Sequence, residues 1–182
     1  ITQDRKEPVT CIIGGSKIST KINVITNLIK KVNNLIIVGA MANNFLKYNN
    51  CEIGKSLMEN NSSEIIKKII HEAEKGECKI IIPEDCMVSK SFEGNAVARD
   101  LKSIEKDDII LDVGPKTLKT IEKIIDSSNT VMWNGPAGYF ENKSFAVGTN
   151  FIAEKISKNT SKKSLISVLG GGDTVSAINK SG

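Results

Sequence analysis

The sequence predicts an α/β domain, a three-layer, doubly wound (Rossmann-like), mostly parallel sheet with helices on both faces, on three observations. Short β-branched runs alternate with amphipathic helical patterns along the chain. The runs are apolar throughout instead of alternating, as expected of strands buried on both faces. Five of the runs end in glycine, at the carboxyl ends where such sheets bind ligands.

VTCII (9–13) reads as the first strand. Ser19 and Thr20 then offer an N-cap to a helix on which Ile22, Ile25, Leu28, Ile29 and Val32 recur at helical spacing. NLIIVG (34–39) is the second strand and AMANNFLKY the helix after it. Ser62, Ser63 and Glu64 cap the periodic IIKKIIHEAEKG, which Gly76 terminates. KIIIPED (79–85) is a strand stopped by Pro83. DDIILDVG (107–114) and TVMWNG (130–135) are two further strands of the same sheet, joined by PKTLKTIEKIIDSS with proline in its first turn. FAVGTNFIAEKISK is helical, SLISVL (164–169) is the last strand, and a short helical pattern, VSAINK, closes the chain. There is no internal repeat, low-complexity tract or linker.

At 182 residues, 40% hydrophobic and 25% charged, the chain is expected to be one soluble globular domain able to bury a core without disulfide or metal staples. The formal charge of +4 is spread out, and the pairs Lys30-Lys31, Lys67-Lys68 and Lys162-Lys163 adjoin helical patterns. They read as solvated helix faces and not as a nucleic-acid patch. Cys11, Cys51, Cys78 and Cys86 show no C-x-x-C spacing, so reduced, incidental thiols of a cytoplasmic protein are expected. No stretch is apolar for long enough to span a membrane. The opening Ile1 is not expected to be the natural start, so the lack of a signal peptide carries no weight. His71, the only histidine, falls among lysines and glutamates and is expected at the surface.

Three loops carry chemistry. IIGGSKISTK (12–21) sets a Gly14-Gly15 turn before a helix start bearing Lys17 and Lys21, whose spacing would stack both ammonium groups on one face and make an anion site with the free N–H groups. It is neither a Walker A loop nor G-x-G-x-x-G, so a nicotinamide dehydrogenase has no support. GGGDT (170–174) offers bare N–H groups to phosphate oxygens, Asp173 to a divalent cation and Thr174 as a donor, a plain N-cap by Asp173 being the alternative. WNGPAGYFE (133–141) brings the amide of Asn134, a turn stiffened by Pro136 and the acceptor Glu141. Trp133 itself reads as core.

GGSKISTKI, VGAMANNFLK, EIGKSL, LDVGP, WNGPAGYFE and GGGDT stand in the order and approximate spacing of phosphoglycerate kinase, and the chain resembles that family along essentially all its residues. WNGPxGxFE and GGGDT together are highly specific to it. The similarity covers the C-terminal, nucleotide-binding half of a two-domain enzyme. The N-terminal half, which binds the phosphoglycerate, and a closing glycine-rich segment are not in these residues. The resemblance implies a reversible kinase, moving a phosphoryl group between 1,3-bisphosphoglycerate with ADP and 3-phosphoglycerate with ATP, with Mg2+ accompanying the nucleotide. It also implies a glycolytic, cytoplasmic protein, monomeric when complete, with no nucleic-acid or membrane partner.

By the same resemblance, residues 1–182 are the nucleotide domain, expected to bind ADP or ATP but to transfer phosphate very slowly alone. Gly14, Gly15, Ser16, Lys17 and Lys21 match phosphate-contacting positions, Lys17 with Gly171 and Gly172 assisting transfer. Gly39, Ala40, Leu57 and Leu111 match the adenine slot, Asn134 and Pro136 border the nucleotide, and Glu141 matches the ribose acid. Gly170, Gly171, Gly172, Asp173 and Thr174 match the phosphate loop, Asp173 being the magnesium-associated carboxylate. Thr20 stands where many members carry an Asp near the metal, and Val38 and Ala40 fall in a segment often made of three glycines. No general base is needed, because a carboxyl acceptor is already ionised at neutral pH. The alternative is a non-catalytic nucleotide-binding module of the same fold.

Overall fold

The computed structural model describes residues 5–181, with side chains described to Ile178. In chain order the strands are β1 (Val9–Ile13), β2 (Asn34–Ile37), β3 (Lys79–Ile81), β4 (Asp85–Ser89), β5 (Val97–Asp100), β6 (Ile109–Val113), β7 (Thr130–Asn134) and β8 (Ile166–Gly170). The helices are α1 (Ile22–Ile29), α2 (Ala40–Tyr48), α3 (Ser63–Lys75), α4 (Pro115–Ser127), α5 (Val147–Ser161) and α6 (Gly172–Ser181). A five-stranded parallel sheet runs in the order β3-β2-β1-β7-β8. The chain winds outward from β1 in one direction and returns to start in the other at β7. That reversal opens a crevice between β1 and β7 at their carboxyl ends, where such folds bind ligands.

Every residue of β1 is buried, which is why its sequence shows no alternation. Val9, Cys11 and Ile13 pack with α1, α2 and α3 on one face. Ile12, Val131 and Trp133 pack with α4 and α5 on the other. These are the three layers the apolar runs predict.

DDIILDVG departs from expectation. Its strand, β6, pairs antiparallel with β4 in a separate three-stranded sheet, β5-β4-β6. Four of the glycine-ended strands therefore share one rim, not five. Gly114 serves the small sheet instead: a Cβ there would lie 2.3 Å from the Asp85 carboxyl carbon. That carboxylate accepts from the N–H groups of Lys116 (2.9 Å) and Thr117 (2.8 Å), starting α4. Asp112 on β6 likewise accepts from the Gly148 N–H at 2.8 Å, starting α5.

Two helix starts also differ from the sequence reading. The residue at the N-cap position of α1 is Lys21, not Ser19 or Thr20, and the Thr20 hydroxyl donates to the Lys17 carbonyl instead. Ser62 does hold the cap position of α3, but its side chain bonds Asn44 Oδ1 and leaves the helix N–H groups alone. Gly76 terminates α3 as expected, and Pro115 opens α4.

Candidate functional site

The rim is built by backbone. Gly14 N–H donates to the Asn134 carbonyl at 2.8 Å, joining the turn after β1 to the turn after β7. The two turns meet so closely that a Cβ on Gly14 would lie 2.1 Å from the Pro136 carbonyl oxygen. Gly135, at φ +95°, faces the Gly14 backbone with equally little room, so glycine is required on both sides. Gly39 N–H donates to Ala137 O (3.1 Å) and Met41 N–H to Gly15 O (2.8 Å), drawing in the turn after β2. The turn after β8 is fastened by Thr174, fully buried, whose hydroxyl accepts from the Gly135 N–H at 2.6 Å. Four strand ends thus form one hydrogen-bonded edge.

In GGGDT, Gly171 sits at φ +91°, with the Asn134 amide 3.1 Å from where its Cβ would be. A Cβ on Gly172 would meet nothing within 4 Å, so the N-terminus of α6 opens onto free space. Asp173 lies in the first turn of α6, inside the helix and not at its cap, and is exposed.

A cleft of about 330 Å³ lies over this rim. Of the residues matched by resemblance, Gly15, Ser16, Gly39, Ala40 and Leu57 line it, together with Leu111, Pro136, Glu141 and Asp173. Lys21, Asn134 and Gly170 line an adjoining groove across the Gly14 turn. There the Lys21 ammonium donates to Gly14 O (2.9 Å) and to Asn134 Oδ1 (2.8 Å). Burial holds the Lys21 pKa below the ordinary lysine value, while the charge of Asp173 pulls it back up.

Lys17 is exposed and lines neither space. The expected stacking of the two lysines does not occur, because α1 begins only at Ile22 and the i, i+4 geometry never applies to them. Trp133 is core, as expected, its indole N–H donating to Gly135 O at 2.7 Å. His71 is exposed.

Several lining residues escaped the sequence reading. Phe92 and Tyr139 also line the cleft and stack edge to face, with centroids 5.2 Å apart. Tyr139 sits inside the quoted WNGPAGYFE stretch, whereas Phe92 lies in a loop that carries no signal. Asp112 lines the cleft too, and burial pushes its carboxyl up to about 7 against the N–H groups of Gly148 and Val113, which lower it. Cys86 is a wall residue whose thiol burial pushes up to about 12, so it stays protonated.

Asp173 is an exposed carboxylate at the edge of the cleft. A single carboxylate suits magnesium, which keeps waters and takes phosphate oxygens as further ligands, better than a metal held by protein alone. The one cluster of three carboxylates among the described residues, Glu105, Asp107 and Asp108, is filled by the Lys90 ammonium at 2.6, 2.6 and 2.8 Å.

The family model for phosphoglycerate kinase matches residues 1–182. The chain belongs to that family. It is 46% identical over 179 residues to the phosphoglycerate kinase of Wolbachia pipientis wMel, covering 98% of this chain and 45% of that protein. Against the phosphoglycerate kinase of Zymomonas mobilis it is 44% identical over 177 residues, covering 96% and 45%. The structure of phosphoglycerate kinase from Coxiella burnetii superposes with a TM-score of 0.93 at 35% identity, over 99% of this chain and 46% of that one. That from Pyrococcus horikoshii gives 0.79 at 25% identity, over 100% and 46%. The chain therefore spans about half the length of the phosphoglycerate kinases it matches.

Proposed function

We propose that this chain is the nucleotide-binding domain of a two-domain phosphoglycerate kinase, binding MgADP or MgATP in the cleft at the β1/β7 crevice. The reaction is reversible transfer between 1,3-bisphosphoglycerate with ADP and 3-phosphoglycerate with ATP, as a cytoplasmic, monomeric enzyme of glycolysis. The observation that carries this reading is the rim itself: four strand-end turns locked together by hydrogen bonds, with an ammonium group and the open N-terminus of α6 beside an apolar cleft.

In this reading the base lies against Ala40, Leu57 and Leu111, the ribose reaches Glu141, and the phosphates run along Gly15 and Ser16 toward Gly171 and Gly172. Asp173 would hold the magnesium, whose charge offsets that of the phosphates and orients them. Lys21, anchored by Gly14 O and Asn134 Oδ1, keeps a proton donor beside the phosphate path. Thr174, buried, fastens the turn after β8 to this path, its hydroxyl oxygen accepting from the Gly135 N–H. Lys17, exposed and lining neither space, would reach out to the group in transit. Such a transfer is catalysed by alignment and by neutralising developing charge, with no base required.

The phosphoglycerate site lies outside these residues in this reading. The test is turnover with ADP and 1,3-bisphosphoglycerate, measured for residues 1–182 and for the full-length protein, with calorimetry of MgADP on both. Binding by both with turnover only at full length supports the proposal. Full activity from residues 1–182 refutes the two-domain assignment, and binding without turnover at full length favours a non-catalytic module.

A further inference from the structure

Asn43 stands on α2 one turn beyond Ala40, 1% exposed, and lines the cleft. Its amide nitrogen donates to the Leu57 carbonyl at 2.9 Å. Its oxygen, Oδ1, is buried and has no hydrogen-bond partner. The other such side-chain atom among the described residues, Arg99 Nε, at least lies 3.6 Å from the Asp108 carboxylate. Asn43 Oδ1 has no counterpart of that kind.

Leaving a buried carbonyl unpaired costs about 1–3 kcal/mol, and nearly all such groups are paired in folded proteins. The next residue shows what satisfaction looks like here. Asn44 donates to the Met41 carbonyl and accepts from the Glu59 N–H and the Ser62 hydroxyl. Turning the Asn43 amide over does not cure the defect, because it sets an oxygen against the Leu57 carbonyl and still leaves the other end unpaired.

Asn43 shares the cleft wall with the apolar Ala40, Leu57, Phe92 and Leu111, Ala40 on its own helix and Leu57 bonded to its amide. That wall suits a flat ring, not a phosphate, and a phosphate has no proton to offer the oxygen at neutral pH. A ribose is polar all round and finds its acceptor at Glu141. What the oxygen lacks is an N–H on the edge of a mostly apolar ring.

We propose that Asn43 is a specificity-determining residue, its Oδ1 accepting from the exocyclic 6-amino group of adenine. The inference rests on the reading that the cleft holds a nucleotide. Oδ1 is shielded from water by the cleft wall, so the base reaches it by displacing wall side chains. Leu57, 59% exposed, can give way. Hypoxanthine places an oxygen where adenine has its amine, setting two acceptors face to face, and an unsubstituted purine leaves Oδ1 orphaned.

The experiment is calorimetry on the full-length protein with the magnesium complexes of ADP, inosine diphosphate and purine riboside diphosphate, which carries hydrogen at C6. The native protein should bind ADP about tenfold tighter than either analogue. Asn43→Leu should bring ADP down to the level of the C6-hydrogen analogue and leave that analogue within about twofold. Equal native affinity for ADP and the C6-hydrogen analogue overturns the proposal. So does an Asn43→Leu variant that weakens all three by the same factor, which would mean the amide only holds the Leu57 segment. If Asn43→Leu does not fold, the native comparison alone decides. Binding of none of the three by native protein removes the nucleotide reading and this inference with it.

Discussion

Lys21 lines the groove beside the cleft and Asp173 the cleft itself, yet their charges act on each other. Asp173→Ala should weaken MgADP about tenfold while changing metal-free ADP by about twofold or less. Titrating each form calorimetrically checks this, and equal losses would make Asp173 a helix-terminus charge only. Thr174→Val removes the acceptor of the buried Gly135 N–H and should cost about 1–3 kcal/mol in urea unfolding. Asp112 supplies a pH signature. Burial raises its folded pKa from 3.8 to about 7, so the folded state holds its proton more tightly than the unfolded chain does. Its contribution to stability is fully present below pH 3.8, shrinks as the pH rises toward about 7, and is flat beyond. Asp112→Asn does not titrate there, so the stability of the native protein minus that of the variant should fall steadily as pH rises across that window, in unfolding series at successive pH values.

The elements that were legible in the sequence are those whose burial is two-sided. VTCII, NLII and TVMWN are apolar because both of their faces are covered, and α2 was read residue for residue from AMANNFLKY. DCMVS and VARD gave no such signal. β4 carries Asp85 to start α4, and β5 lies largely exposed at an edge. Polar residues that serve as helix caps erase the pattern that announces a strand, and with β4 and β5 silent the sequence offers β6 no partner but the parallel sheet. Within the site, the glycine turns were legible because close backbone approach permits little else. Asn43 and Phe92 were not, since an asparagine on a helix and a phenylalanine in a loop have commoner explanations. Asp85→Ala is the element-scale prediction. Two α4 N–H groups and the Thr117 hydroxyl lose a buried acceptor, and the loss should be about 2 kcal/mol, the upper end for a helix cap, read by chemical denaturation.

For the molecule as a whole, the proposed nucleotide site would link ligand and fold through the rim. A nucleotide that bridges the turns after β1, β2, β7 and β8 binds only when all four strands are in place. MgADP at about a hundred times its dissociation constant should therefore add about 2.7 kcal/mol to folding stability. A thermal melt with and without MgADP tests this, and an unmoved midpoint at saturating ligand would count against the cleft as the binding site.

The cleft is shared between two sheets. Its glycine edge hangs from the parallel strands, while Leu111 and Asp112 reach it from β6, in the antiparallel group secured by the Lys90 and Arg99 ion pairs. If the cleft holds a nucleotide as proposed, substitutions on β6 should alter the preference for its ring while leaving the glycine edge that faces its phosphates intact. On the proposed function, the ring-facing wall and the phosphate-facing rim would be free to vary separately.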